Sequence, residues 1–287
     1  MKKSLNFIGL IFFLFITVSC STKYMTPRLN DFSDATDLIG KNIIYAFEQL
    51  QAEEMNILLN KLIKQDSIKP TDFNPKVLTP EKFEIRKELV KCIVNYTILL
   101  KSIFERDSRN EIMKNADIFN KNIDSIRINH DGFLTKNEQG LLSTISQAIP
   151  EVLTSTKRKA YTLKIMKEMQ PILEKISKKL KEEMKSVKVL IDNYYLQQFM
   201  VIAEKWSNKE SKRLKYAKMG IKIIKKKNKI KLILDDLIKA IDYIPRTHKE
   251  LRKSLKNKNP VYALKELINF AYRTNETYKE FAELEKK

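Results

Sequence analysis

Five glycines in 287 residues set the first limit on what this chain can become. Gly9, Gly40, Gly132, Gly140 and Gly220 are too few to supply the turn positions that hairpins and sheets require. Lys, Leu, Ile, Asn and Glu dominate instead, with little strand-like alternation. Apolar residues make up 43% of the chain, enough for a core. Leu173, Leu180, Val187, Tyr194 and Val201 recur every seven residues, and Ile176, Met184, Leu190 and Ile191 fill adjoining positions. That pattern predicts one long helix from Pro171 to about Trp206, roughly 54 Å at 1.5 Å per residue. Pro171 is either its first turn or a kink. The expected fold is all-α, a bundle of long antiparallel helices with a smaller N-terminal helical part.

Local signals divide the chain further. A first helix is expected over 34–64, with Leu38, Ile43, Ala46, Phe47, Leu50, Ile57 and Leu58 near a 3.6-residue period. Pro70 and Pro75 mark a linker over 65–79. Thr79-Pro80-Glu81 opens a second helix that ends near Arg106. Ser108-x-x-Glu111 and Thr135-x-x-Glu138 are capping boxes for a third and a fourth helix, the latter ending before Pro150. Ser207-x-x-Glu210 marks a break, followed by helices over 208–227 and 229–256, the second disturbed by Pro245. Asn259-Pro260 caps the last helix.

The N-terminus has a different character. Met1-Lys2-Lys3 is a short positive end, Leu5 to Val18 is an almost unbroken apolar run, and Thr17-Val18-Ser19-Cys20-Ser21 closes it. The run is 14 residues, shorter than the roughly 20 a membrane-spanning helix needs. An ordinary signal peptide with an incidental cysteine is one reading. The segment also resembles the lipobox signal of bacterial lipoproteins, with Thr17 where an aliphatic residue is usual. The resemblance implies cleavage before Cys20, lipidation of Cys20 and, from Ser21, sorting to an outer membrane facing the periplasm. Two or more acyl chains hold a protein stably, where one does so only marginally. Residues 1–19 are then the signal peptide. Residues 20–33, which contain Pro27 and show no sustained helical pattern, are a lipidated tether reaching at most roughly 40 Å. An N-terminal helical region is expected over 34–150 and a basic long-helix bundle over 151–287.

Charge is distributed unevenly. Residues 1–150 hold 20 Lys+Arg against 18 Asp+Glu, whereas residues 151–287 hold 35 against 17. Lys205 to Lys231 contains twelve basic residues and a single acid, Glu210. At about 100° per residue, Lys212, Lys215, Lys218, Lys222, Lys225, Lys226 and Lys229 form one stripe. Leu214, Ala217, Ile221 and Ile224 form a neighbouring apolar face, expected to be buried. The stripe is either a solvated face in a lysine-rich composition or a surface for an acidic partner. Codon bias inflates lysine, as the 45 Lys against 10 Arg indicate, yet it would act on both halves alike. An acidic partner in the cell envelope would be anionic lipid, lipopolysaccharide or an acidic envelope protein. No nucleic-acid motif is present, and nucleic acid is not expected as a partner.

Catalytic and metal chemistry have little support. His130 and His248 are the only histidines and belong to no metal-ligand spacing. Asp235 and Asp236 point about 100° apart on a helix and make no acid–base pair. Cys92 is expected to be a small buried hydrophobe. Trp206 and Tyr194-Tyr195 read as core, and His248 as a capping or surface group. Residues 127–138 resemble an EF-hand calcium loop, matched by Asn129, Asp131, Gly132, Leu134, Thr135 and Glu138. Arg127 replaces the first carboxylate ligand, and a cation there repels calcium. The same residues also read as an Asp-Gly turn followed by a capping box. No catalytic residue, metal site or cofactor is expected. The expected function is non-enzymatic: a membrane-anchored envelope lipoprotein that binds or scaffolds. The alternatives are a surface-exposed ligand- or host-binding lipoprotein and, below it, a calcium-responsive module.

Overall fold

The computed structural model describes residues 2–62, 69, 79–105, 108–129, 135–140, 144–145, 149, 158–206, 210–257 and 261–286, with side chains from Met25 onward except those of 53, 57, 60, 61, 127–129, 158, 211, 278 and 280–286. Apart from residues 69 and 79, the linker over 65–79 lies outside them, as do the Asp131-Gly132 turn, Ser207 and the Asn259-Pro260 cap. The fold is all-α, a bundle of long helices: α1 Lys2–Leu62, α2 Pro80–Glu105, α3 Arg109–Asn129, α4 Arg158–Glu204, α5 Glu210–Asn257 and α6 Tyr262–Lys286. No strand occurs among the described residues.

The helix starts follow the sequence. Thr79 Oγ1 accepts a hydrogen bond from the Lys82 amide at 3.3 Å, ahead of Pro80 at the first helical position. Ser108 and Glu111 exchange backbone-to-side-chain bonds at 3.3 Å each. Thr135 and Glu138 do the same at 2.7 and 3.3 Å. Each box satisfies amides that a helix N-terminus leaves without partners.

Helix lengths differ from expectation at three places. α1 begins well before residue 34, so residues 21–33 are helix rather than an extended tether. Met25, Leu29 and Phe32 on it are at most 2% exposed. Burying each yields roughly 1.5–3 kcal/mol, which together outweighs the roughly 3 kcal/mol that Pro27 costs inside a helix. α4 starts at Arg158, placing Pro171 in its interior. α5 is one helix through Lys227-Asn228-Lys229, where a break was expected, and it absorbs Pro245 as well.

The chain forms two compact units, each built from three segments. Unit one comprises Met1–Asp37, Lys91–Lys175 and Tyr243–Ile268. Its core gathers Phe32, Leu99, Leu100, Phe119, Leu173 and Leu251, each at most 1% exposed. Cys92 is buried there too, and burial pushes its thiol up to about 12, so it is protonated and inert.

Unit two comprises Leu38–Val90, Ile176–Asp242 and Asn269–Lys287. Its core is formed by Ile39, Ile43, Phe47, Leu180, Met184 and Leu237. Two ion pairs are set into it. Arg86 bonds Glu183 at 2.6 Å and lies over the Phe47 ring, 5.4 Å from its centroid. Burial raises the Glu183 carboxyl, but hydrogen bonds and charge from Arg86 and Lys179 outweigh it and hold the group below the usual carboxylate range. Asp236, 1% exposed, is held by both ends of the Arg273 fork, while Asp235 pairs with Lys188. The two adjacent acids therefore serve different partners on different sides of α5.

Candidate functional site

Within unit two, the end of α4 and the start of α5 make an antiparallel hairpin. Lys188 pairs with Asp235, and Asp192 receives Lys227 at 3.0 Å and Lys231 at 3.2 Å. Burial raises the Asp192 carboxyl, but the two lysines outweigh it and lower it overall. This pairing neutralises like-charge repulsion in the Lys225–Lys231 run and explains why α5 continues unbroken. Nearer the connection, Phe199, Ile202 and Trp206 face Tyr216, Gly220 and Ile224 across a groove of about 410 Å³. α4 closes with amides of Lys205 and Trp206 bonded to the carbonyls of Ile202 and Ala203, both at 3.1 Å.

This end of the hairpin has almost no interior. Among the described residues from Leu196 to Trp206 only Ile202 is buried, and from Glu210 to Leu232 only Gly220. A Cβ on Gly220 would lie 3.6 Å from a Phe199 ring carbon, an ordinary contact, so the glycine is not demanded by crowding. The apolar face expected to be buried is open: Leu214 is 59% exposed, Ile221 54% and Ile224 46%. Trp206, read from sequence as core, is 54% exposed; Tyr195 is buried and Tyr194 half-buried. The heptad stripe explains why. Leu180 and Val187 reach the core, but its last member, Val201, is exposed, with no cover for α4 there among the described residues.

The lysine stripe divides into two groups. Lys212, Lys215, Lys218, Lys222 and Lys225 are exposed and have no ion-pair partner among the described residues. Lys226 and Lys229 are half-buried and engaged in contacts. Cys20 lies within α1, its side chain outside the described residues.

Two other sequence candidates fall to structural roles. Of the EF-hand-like stretch, 130–134 and the side chains of 127–129 lie outside the described residues. Glu138, its would-be twelfth ligand, is occupied by the capping box and by Lys175 at 2.7 Å. Burial raises that carboxyl, but Lys175 and Thr135 hydrogen bonds lower it below its ordinary range. His248 is fully buried in unit one rather than at the surface. Its Nδ1 lies 2.7 Å from Gln170 Oε1, an acceptor only, so Nδ1 carries the proton. Nε2 therefore accepts from the Tyr96 hydroxyl at 2.8 Å. Gln170 Nε2 completes the chain by donating to the Pro245 carbonyl at 3.1 Å and to Glu174 at 2.8 Å. Burial, aided by the Arg252 charge, pushes His248 down to about 3, so it stays neutral. Both ring nitrogens are spent on internal partners, which leaves a structural bracket between α2, α4 and α5.

Among the described residues no group of three His, Cys, Asp or Glu side chains converges as a metal site would require. Among them, too, no helix is long and apolar enough to cross a membrane. No protein-family model matches the chain, nor does any curated protein or solved structure.

What sequence reasoning missed is the second apolar strip on α4: Val189, Leu196 and Met200, exposed by 60, 56 and 55%. A signal was available. These residues lie off the heptad stripe, and a helix with two apolar strips needs two partners.

Proposed function

We propose that the protein is a non-enzymatic envelope lipoprotein, tethered through Cys20 to the periplasmic face of an outer membrane, whose α5 lysines engage an acidic surface. The observation that supports this reading best is the separation of lysines on one helix. Lys227 and Lys231 are neutralised internally by Asp192, while Lys212, Lys215, Lys218, Lys222 and Lys225 are left in solvent without ion-pair partners among the described residues. An aligned, unneutralised set of like charges raises local potential and attracts polyanions.

The helical start of α1 alters how such a tether works. Met25, already core, follows Cys20 by five residues, about 8 Å of helix at 1.5 Å per residue. A lipidated Cys20 would therefore hold the folded body close to the headgroups.

Two measurements test the reading separately. Metabolic labelling with an alkyne fatty acid should mark the wild type and not Cys20→Ala; equal labelling rejects lipidation at that residue. Binding to immobilised poly-glutamate should be clear at low salt and largely lost well above physiological salt, where the Debye length falls below roughly 8 Å. Replacing Lys215, Lys218, Lys222 and Lys225 with Gln should weaken it severalfold while preserving helicity. Replacing the exposed Lys82, Lys91, Lys114 and Lys121 should not. Equal weakening by both sets would reduce the attraction to bulk net charge.

A further inference from the structure

We infer that the acidic surface is an anionic lipid bilayer, and that the α4–α5 hairpin lies on it with one apolar side pressed among the headgroups. This deepens the reading above and rests on it.

Three features of the hairpin converge. Nine of the fifteen exposed large apolar side chains among the described residues fall between Leu196 and Ile224. Singly scattered apolar residues need no explanation, but a contiguous group marks an interaction surface. Second, the strips on the two helices share a side. On α4, Val189, Leu196 and Met200 lie roughly 60–100° beyond the line facing α5, which Lys188, Asp192 and Phe199 define. On α5, Leu214, Ile221 and Leu232 lie about 100° beyond the line facing α4, which Gly220, Lys227 and Lys231 define. In antiparallel right-handed helices, equal rotation in the sense of each chain carries both strips to the same side of the pair. The hairpin thus has an apolar side two helices wide, and only Val201 and Met219 of the nine turn away from it.

Third, lysines border that side on α5, whereas its α4 border carries the exposed Asn193 and Glu204. Lys218 and Lys225 come next around α5 from the strip, then Lys222 and Lys215, all exposed. Apolar residues on one side, lysines at its α5 edge and aromatic rings in the groove between the helices are the composition of an element that lies in the membrane interface. Trp206 and Tyr216, both lining the groove, have the amphipathic rings that settle at headgroup level. A second copy of the chain is a poor occupant, since it would bring the same lysines against these ones. An acidic protein would satisfy the lysines but has no need of an adjacent apolar strip. An anionic bilayer satisfies both, with about 1 kcal/mol from each lysine near its surface. Once the N-terminus is anchored, docking is intramolecular and weak intrinsic affinity suffices.

Trp206 is the only tryptophan in the chain, so its emission reports this element alone. The full chain would be reconstituted into vesicles of phosphatidylcholine, with or without an equal amount of phosphatidylglycerol. The anchor inserts in both, so only the hairpin responds to lipid charge. Trp206 emission should shift to shorter wavelength, and become quenchable by spin-labelled acyl chains, in the anionic vesicles and not in the neutral ones. High salt should reverse the shift. Leu196→Ser with Ile221→Ser should abolish it, both positions being exposed enough to leave helicity unchanged. The four Lys→Gln replacements should weaken it severalfold. An equal shift in neutral vesicles overturns the proposal, because charge then plays no part. Absence of a shift in anionic vesicles, with salt-sensitive poly-glutamate binding intact, overturns the bilayer and leaves an acidic protein as the partner. Absence of both removes the acidic-partner reading as well.

Discussion

Around His248 and around Trp206, amphipathic segments of the same helices, α4 and α5, have opposite fates. At His248 every group is enclosed: Phe32 packs 6.4 Å from the imidazole, Tyr96 5.5 Å, and each polar atom of the ring has a bonded partner. At Trp206 comparable apolar residues stand in solvent beside lysines that have no ion-pair partner among the described residues. The difference is not in the helices but in what covers them. Segments of α1, α2 and α3 surround the first region, whereas among the described residues the hairpin end has only its own two helices. Two helices can bury a single seam, here Ile202 and Gly220, and leave the rest of their apolar surface open.

The largest effect that separates the regions is truncation of a core side chain. Phe32→Ala should destabilise by about 3–5 kcal/mol in urea unfolding, whereas Ile221→Ala should stay within about 0.5 kcal/mol. A small effect at Phe32 would mean that the start of α1 is not core. A large effect at Ile221 would mean that the hairpin has a cover among the residues outside those described.

Next in size is a pH dependence confined to the enclosed region. His248 titrates near 6.5 when unfolded and near 3 when folded, so between these values only the unfolded chain takes up the proton. Its stabilising contribution is complete above pH 6.5 and is lost as pH falls, at roughly 1 kcal/mol per unit. Between pH 6.5 and 5 this slope is largely free of Glu183 and Asp192, whose lowered carboxyls act further down. His248→Gln should flatten it; an unchanged slope would assign the effect elsewhere.

The smallest effect is at Gly220. Gly220→Ala adds a Cβ at ordinary contact distance from Phe199 and removes a helix-interior glycine, so stability should rise by up to about 1 kcal/mol. Destabilisation would show that the two helices approach more closely at Gly220 than 3.6 Å implies.

The parts of this protein legible in its sequence are those decided within a few residues. Ser108 with Glu111 and Thr135 with Glu138 announced their capping boxes because a box is closed by its own four residues. The paucity of glycine and the long heptad stripe announced the helices, since propensity and periodicity act along one chain. The lysine stripe was legible as a stripe, but not its division into paired and unpaired members, because Asp192 lies on another helix. The start of α1 was misread as a tether because Pro27 is a local signal, while the burial of Met25, Leu29 and Phe32 that overrides it depends on distant segments.

By itself, then, the sequence determined the all-α class, the helix caps and the basic character of α5. Tertiary structure alone decided which apolar faces are core and which are open. An amphipathic pattern states that a helix has an apolar side; only the arrival of another element, from elsewhere in the chain, removes that side from water. His248 became a core residue because three helices close around it, and Trp206 did not because, among the described residues, none arrives.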